Sequence, residues 1–165
     1  MEVLRPDKIK INNMNIISLS AAIVFAIVIF IAGSYERIYR IPKWFQNPPQ
    51  SFGLIAPQTK RSTRFWIPVQ LLFIISFIVT LITNWKLPEV RSYLILSLVC
   101  FLAVGASSGA YFVKEILTFS KMPATTPATP QLRLRANRWL KWTTTRNLLQ
   151  FISLVLLLVA LDKLA

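Results

Sequence analysis

The sequence predicts an all-α membrane protein, a four-helix antiparallel bundle with a proline-rich interfacial cap between helices 1 and 2. Three stretches of the 165-residue chain, 16–35, 67–85 and 93–112, are long and apolar enough to cross a bilayer. A fourth stretch, 148–161, is only 14 residues long, whereas a hydrocarbon core of about 30 Å requires about 20 residues. The last span must therefore include polar residues that precede it.

We expect the four spans to form a single domain that covers residues 1–165. Their predicted limits are about 14–39, 64–85, 88–120 and 131–161. Local signals mark two of the helix starts. Ser62 or Thr63 is the expected N-cap of helix 2, and Pro88 takes the first position of helix 3.

The connection between helices 1 and 2, residues 41–63, is rich in proline and in aromatic side chains. Its four prolines exclude a continuous helix, because proline lacks a backbone N–H and restricts the residue before it. Trp44 and Phe52 make this segment too apolar for a solvated linker. We expect it to lie in the membrane interface or to cover one end of the bundle.

Helix 3 contains a run of small residues, 103–110, that includes the pair Gly105 and Gly109. Small residues allow two helices to approach closely within a membrane. The pattern predicts either packing against another helix or a face that is cut back to admit a ligand. A homo-oligomer that associates through Gly105 and Gly109 is a further interpretation.

Arginine and tryptophan side chains recur along the start of helix 4 at helical spacing. They are Arg135, Arg138, Trp139, Trp142 and Arg146. The spacing predicts that they share one stripe of the helix. An arginine within a span is costly unless it is paired or faces protein or water, so Arg146 and its neighbour Asn147 are predicted site residues.

The composition excludes several classes of function. The chain has no histidine and one cysteine, Cys100, so no zinc site, haem site or CxxC redox centre is expected. We predict no metal and no cofactor. The net charge of +13 comes from basic residues that flank the spans, where they suit anionic lipid headgroups better than nucleic acid. The predicted partner is therefore the lipid bilayer.

Basic residues are distributed unequally between the two sides of the predicted bundle. The side that holds both termini and the 2–3 loop carries six, and the other side carries thirteen. The positive-inside rule then places the loops 37–63 and 113–141 in the cytoplasm and both termini outside. We expect an integral protein of a bacterial inner membrane.

Polar and aromatic residues converge at one depth on the more basic side. Glu36 and Glu115 are the only carboxylates there, which makes them candidate partners of the arginines and candidate catalytic groups. The predicted ligand-binding residues are Arg40, Trp44, Trp66, Gln70, Tyr111, Arg138, Trp142, Arg146 and Asn147.

Two interpretations of this convergence stay open. In the first, ion pairs only fasten the helices, because a charge cannot be left alone in lipid. In the second, the residues form a polar pocket for a small aromatic or amphipathic molecule. Arginines would then hold a phenolate, a carboxylate or a headgroup, and tryptophans would form flat apolar walls. The tryptophans also fit an interfacial aromatic belt.

Three segments carry a resemblance to a known family. They are SYERIYRIPKWFQNPP after helix 1, YFVKEI after helix 3, and a W-x-x-x-R-N pattern that opens helix 4. Together they resemble the anthrone oxygenase-like family of small four-helix integral membrane proteins. The resemblance covers most of the chain and implies a four-helix membrane bundle. Many bacterial members are of unknown function.

The same resemblance implies a chemistry. Some fungal relatives are linked to the cofactor-free oxidation of anthrones to anthraquinones with O₂. By analogy the site positions are Trp142, Arg146 and Asn147 on helix 4, with Tyr111 and Glu115 on helix 3. Members tied to this chemistry are expected to use histidine as the base. This chain lacks histidine, so a glutamate would have to replace it.

The sequence therefore leaves three hypotheses. The first is a membrane protein with a polar pocket for an unknown small molecule. The second is a cofactor-free oxygenase-like enzyme that acts on anthrone-like or quinone-like substrates. The third is a structural membrane subunit that associates through its small-residue face.

Overall fold

The computed structural model describes residues 12–164, which form four long helices. They run Asn13–Trp44 (α1), Gln50–Asn84 (α2), Pro88–Ser120 (α3) and Pro130–Asp162 (α4). Each is long and apolar enough to cross a membrane, and the described part of the chain contains no strand. The predicted all-α, four-helix architecture is confirmed. The N-terminal tail, residues 1–11, and Ala165 lie outside the described residues.

Two of the helices, α1 and α3, contain a five-residue π-helical turn at the same end of the bundle. The three parts of α1 are Asn13–Tyr35, the π turn Glu36–Arg40, and Ile41–Trp44. The three parts of α3 are Pro88–Ser107, the π turn Ser108–Phe112, and Val113–Ser120. A π turn inserts one extra residue, which rotates the rest of the helix by about 100°.

The start of α2 lies earlier than the sequence indicated. A 3₁₀ turn, Gln50–Leu54, leads directly into the α-helix Ile55–Asn84, so the predicted N-cap at Ser62 or Thr63 is wrong. Pro57 falls in the first turn of this helix, where a backbone N–H has no intrahelical partner and its absence is tolerated. The irregular part of the connection therefore shrinks to residues 45–49.

Apolar side chains from several helices meet in two clusters. α1 packs against α2 and α4, and α4 packs against α3. The first cluster fills the middle of the bundle and includes the fully buried Leu19, Leu94 and Leu157. The second, an aromatic cluster, lies at the end that holds the π turns. Close packing of this kind is the main force between helices in lipid.

The contact between α2 and α3 is the weakest between neighbouring helices of the bundle. Their rings meet at two places. Phe73 and Phe101 have ring centroids 4.9 Å apart, and Phe52 and Phe119 have ring centroids 5.0 Å apart. Within residues 12–164 no side-chain hydrogen bond joins these two helices. They are therefore held together at these two levels by aromatic contact.

Side-chain hydrogen bonds join α1 to α2 and α3 to α4. The Asn15 amide on α1 donates to the Thr83 carbonyl on α2 at 2.8 Å and to Asn84 Oδ1 at 3.1 Å. Between α3 and α4, the hydroxyl oxygens of Ser97 and Ser153 lie 2.8 Å apart. Interhelical hydrogen bonds of this kind contribute about 0.6 kcal/mol each in a membrane, and up to about 1.7 kcal/mol.

The outer surface of the bundle is apolar. Ile17, Val24, Ile31 and Ile82 are between 57% and 71% exposed, and many other large aliphatic side chains face outward with them. In water such a surface would be unfavourable, whereas lipid tails can cover it. The four long apolar helices and this surface support a small integral membrane protein.

The glycines of the small-residue run lie on this outer surface. A Cβ added at Gly105 or Gly109 would meet no described atom within 4 Å other than the adjacent residues and the backbone of its own helix. The prediction that they pack against another helix of the same bundle is therefore wrong. For the alternative, that this run admits a ligand, the glycines contribute no lining, whereas Val104 and Ser108 of the same run line the internal cavity.

Candidate functional site

A cavity of about 330 Å³ lies between the four helices at the end that holds both π turns. Its volume is at the lower end of the range of small-molecule sites. Glu36 and Ser108, the first residues of the two π turns, line it. π turns inside α-helices are frequent at functional sites. α2 and α4 supply most of the other polar groups, namely Thr59, Ser62, Gln70, Arg146 and Gln150.

The carboxylate of Glu36 is held by three donors. Its Oε1 accepts from Ser62 Oγ at 2.6 Å and from Arg40 Nη1 at 3.3 Å, and its Oε2 accepts from Trp66 Nε1 at 3.2 Å. Arg40 lies one turn further along α1, so the ion pair is local to that helix. Ser62 and Trp66 lie on adjacent turns of α2. The glutamate therefore ties α1 to α2 at the cavity wall.

Arg146 on α4 also lines the cavity, and its Nε donor is unused. Its guanidinium carbon is 4.7 Å from the centroid of the Phe112 ring, a cation–π contact. Its Nε is buried and has no hydrogen-bond partner within residues 12–164. The ion pairs found in that range are Glu36 with Arg40 and Glu115 with Arg135. The cavity thus contains a paired carboxylate and an unpaired cation.

Three more buried polar atoms lack partners in the described structure, two of them on residues that line the cavity. They are the oxygens Thr59 Oγ1, Asn147 Oδ1 and Gln150 Oε1. Buried polar groups without partners are rare in proteins, and each costs about 1–3 kcal/mol. Their concentration around one cavity indicates a site that a ligand or water completes.

Gly33 on α1 makes room for the two amide side chains of α4. A Cβ at Gly33 would come within 3.3 Å of Gln150 Oε1 and 3.5 Å of Asn147 Oδ1. The first of these distances is tighter than an ordinary contact. The missing side chain at position 33 therefore allows both amide oxygens to lie against α1, with Gln150 lining the cavity.

Tryptophans form flat apolar walls. Trp44 is fixed by donating its indole N–H to Gln58 Oε1 at 2.7 Å, and Trp66 is fixed in the same way by Glu36. Trp139 is buried, and its indole N–H points to the Phe112 carbonyl at 3.5 Å. Three of the five tryptophans of the chain thus line the cavity with their orientations restrained.

The structure brings together about half of the predicted site residues. Glu36, Trp44, Trp66, Gln70 and Arg146 all line the cavity. Two further predicted residues lie beside it. Arg40 bonds to Glu36 from outside the cavity, and Asn147 points its amide oxygen towards Gly33.

Four predicted site residues lie outside the cavity. Glu115 binds Arg135 through two hydrogen bonds of 2.7 and 3.0 Å, so it does not pair with Arg146 or Arg138. Trp142 is 53% exposed on the outer side of α4. Arg138 lines a surface groove between α1 and α4, and Tyr111 stacks edge-on against Phe112. The prediction that these four residues share the pocket with Arg146 is therefore wrong. They are Tyr111, Glu115, Arg138 and Trp142.

Sequence reasoning missed several residues of the cavity. Thr59 and Ser62 are small hydroxyl residues within a helix, and nothing in their sequence context separates them from ordinary solvent-facing or back-bonded side chains. Gln150 offered a signal, because it interrupts an apolar stretch in the middle of a span.

Within residues 12–164, no three side chains of histidine, cysteine, aspartate or glutamate come close enough to hold a metal ion. Comparisons with models of known protein families, with curated proteins and with solved structures find no match for this chain. The resemblance to the anthrone oxygenase-like family therefore stays a prediction.

Proposed function

We propose that this membrane protein binds a small amphipathic molecule that has an aromatic body and an acidic oxygen. The observation that carries the proposal is Arg146, a cation inside a span whose buried Nε has no hydrogen-bond partner and whose charge has no ion pair in the described chain. A phenolate, enolate or carboxylate would satisfy both its charge and its donors.

The rest of the cavity suits such a ligand. Trp44, Trp66 and Trp139 offer apolar faces that are already fixed in place, so little side-chain entropy is lost on binding. The partnerless oxygens of Thr59 and Gln150 can hydrogen-bond to polar groups at the edge of a ring system. A volume of about 330 Å³ limits the ligand to a small one.

The rival interpretation, in which ion pairs only fasten the bundle, has less support at this cavity. Glu36 is occupied by Arg40, Ser62 and Trp66, and Glu115 is occupied by Arg135. Neither carboxylate forms an ion pair with Arg146. A purely structural arginine would be expected to lie within bonding distance of one of them.

A direct test uses 2-hydroxy-1,4-naphthoquinone, an acidic two-ring quinone that quenches tryptophan fluorescence. We expect saturable quenching by this probe in the purified protein, and weaker quenching by the neutral 1,4-naphthoquinone. Arg146→Gln should weaken binding of the acidic probe by about 10- to 100-fold, since a hydrogen bond to a charged group contributes about 1.5–3 kcal/mol.

The matched control is Arg133→Gln, which removes an exposed charge from the same helix without touching the cavity. It should leave the affinity for the acidic probe unchanged. The proposal fails if quenching does not saturate, or if the two variants behave alike.

A second function, a cofactor-free oxygenase-like enzyme, is supported by the resemblance and by a carboxylate in the cavity. In this chemistry a base removes a proton from the carbon opposite the anthrone carbonyl, and O₂ converts the resulting carbanion to anthraquinone and water. Glu36 is the cavity carboxylate and Glu115 lies outside it. Anthrone-dependent O₂ consumption should therefore be lost in Glu36→Gln and kept in Glu115→Gln. Activity in both variants would exclude a glutamate base.

The position in the cell and the oligomeric state stay predictions. The unequal distribution of basic residues supports a cavity that faces the cytoplasm of a bacterial inner membrane. A structural subunit associating through Gly105 and Gly109 is supported by the exposure of both glycines. If copies associate there, Gly109→Leu should convert a cross-linked dimer to a monomer. An unchanged cross-linking pattern would exclude that face.

A further inference from the structure

A basic groove lies on the outside of the bundle between α1 and α4, at the same end as the cavity. Its volume is about 690 Å³. Three cations line it, Arg37 from α1 with Arg138 and Lys141 from α4. Short polar side chains, namely Asn137, Thr144 and Thr145, and the apolar Leu134 and Leu140 complete the lining. None of these residues lines the internal cavity.

The three cations have no acidic partner in the described chain, whose carboxylate ion pairs involve Arg40 and Arg135 instead. Like charges that share one groove repel each other, so an anion between them would be favoured. Arg37 is held in position because its Nε donates to Thr144 Oγ1 at 3.0 Å. Its two terminal nitrogens stay available for an external acceptor.

The groove lies at the expected depth of the lipid headgroups. From Leu161, the end of the apolar stretch, 20 residues lead back to Lys141. At 1.5 Å per residue, that length of helix is about 30 Å, the thickness of the hydrocarbon core. Further into the hydrocarbon core, the surface between α1 and α4 forms an apolar seam. Leu148 and Phe151 are exposed there, and the ring centroids of Phe151 and Phe30 lie 5.4 Å apart.

We propose that this groove binds the phosphate headgroup of an anionic phospholipid, with an acyl chain along the exposed surface of Leu148 and Phe151. The cations and hydroxyls match the phosphate oxygens, and the apolar seam matches the chain. A free phosphate would use only the upper part of this surface. The exposed Trp142, one turn beyond Arg138 on α4, would lie at the level of the headgroups.

Native mass spectrometry of the intact protein from detergent tests this proposal by counting bound lipids. Wild-type protein should retain phosphatidylglycerol in preference to phosphatidylcholine. The double variant Arg138→Gln/Lys141→Gln should reduce that preference by about 30-fold, since each basic residue near a membrane surface contributes roughly fivefold. The matched control is Lys114→Gln/Arg133→Gln, which removes two exposed charges at the same end but outside the groove.

Three results would overturn the proposal. Equal losses in the groove variant and the control would mean that only general surface charge attracts the lipid. Equal retention of the two lipids by wild-type protein would exclude an anion site. Displacement of phosphatidylglycerol by inorganic phosphate at similar concentration would identify a site for soluble anions. Arg146→Gln should keep the lipid preference, so this proposal and the cavity proposal can fail separately.

Discussion

Replacing Arg146 with methionine separates a role in folding from a role in binding. Arginine within a span costs about 2.5–3.5 kcal/mol on insertion scales. The one compensating contact seen for its guanidinium in residues 12–164 is the Phe112 ring at 4.7 Å, and such a contact returns about 0.5–2 kcal/mol. Because the insertion cost applies to the centre of a span and Arg146 lies nearer one end, the difference predicts that the ligand-free Arg146→Met protein is more stable than the wild type by at most about 3 kcal/mol.

Reversible unfolding in mixed micelles of mild detergent and dodecyl sulfate, followed by circular dichroism, measures this difference. For a chain of this size each kcal/mol corresponds to about 2–4 °C in a thermal scan. Arg133→Met is the matched control, since its side chain is exposed and the change should stay within about 0.5 kcal/mol. The stabilised variant should at the same time lose binding of 2-hydroxy-1,4-naphthoquinone.

A loss of more than about 1 kcal/mol in Arg146→Met would refute this reasoning. It would mean that the guanidinium bonds to the bundle itself, most directly to Glu36 across the cavity. The cavity would then be a closed ionic contact, and the proposed ligand would have no group to bind.

Three further substitutions test the contacts that position the helices, each by the same unfolding measurement. Glu36→Gln should cost about 1–2 kcal/mol, because one amide oxygen cannot serve three donors. Glu115→Gln should cost less than about 1 kcal/mol, because its one partner, Arg135, is exposed and can be solvated instead. Equal costs would contradict this. Ser97→Ala should cost about 0.6–1.7 kcal/mol, and an equal loss in the exposed Ser92→Ala would contradict it. Asn84→Leu should cost about 1–3 kcal/mol, and a neutral result would show that its hydrogen bonds contribute nothing.

The sequence was sufficient to predict the four helices and part of the site. Long apolar stretches determine where the spans lie, because a helix of about 20 apolar residues crosses the lipid with all its backbone hydrogen bonds formed within the segment. Glu36, Trp66 and Arg146 could be grouped because each lies at the same end of its span, whatever the rotation of the helix. The position of a residue along its span gives its depth in the membrane but not the direction in which its side chain points.

The sequence did not predict which side chains point into the bundle and which point outward. The stripe on α4 is broad enough that either half could face inward, and the structure turns Trp139 and Arg146 inward while Trp142 faces out. The π turn Ser108–Phe112 rotates the following residues by about 100°, which changes the direction of Glu115. No residue in that turn is specific to π-helix, so the rotation had no signal in the sequence.

The weak junction between α2 and α3 has a consequence for how the cavity is reached. Thr63 on α2 and Val113 on α3 both line the cavity and are exposed on the outer surface of the bundle. A molecule dissolved among the acyl chains could therefore enter between these two helices without passing through water. Occupancy would then follow the partition coefficient of the ligand into the bilayer, so even a modest intrinsic affinity would suffice for a strongly lipophilic compound.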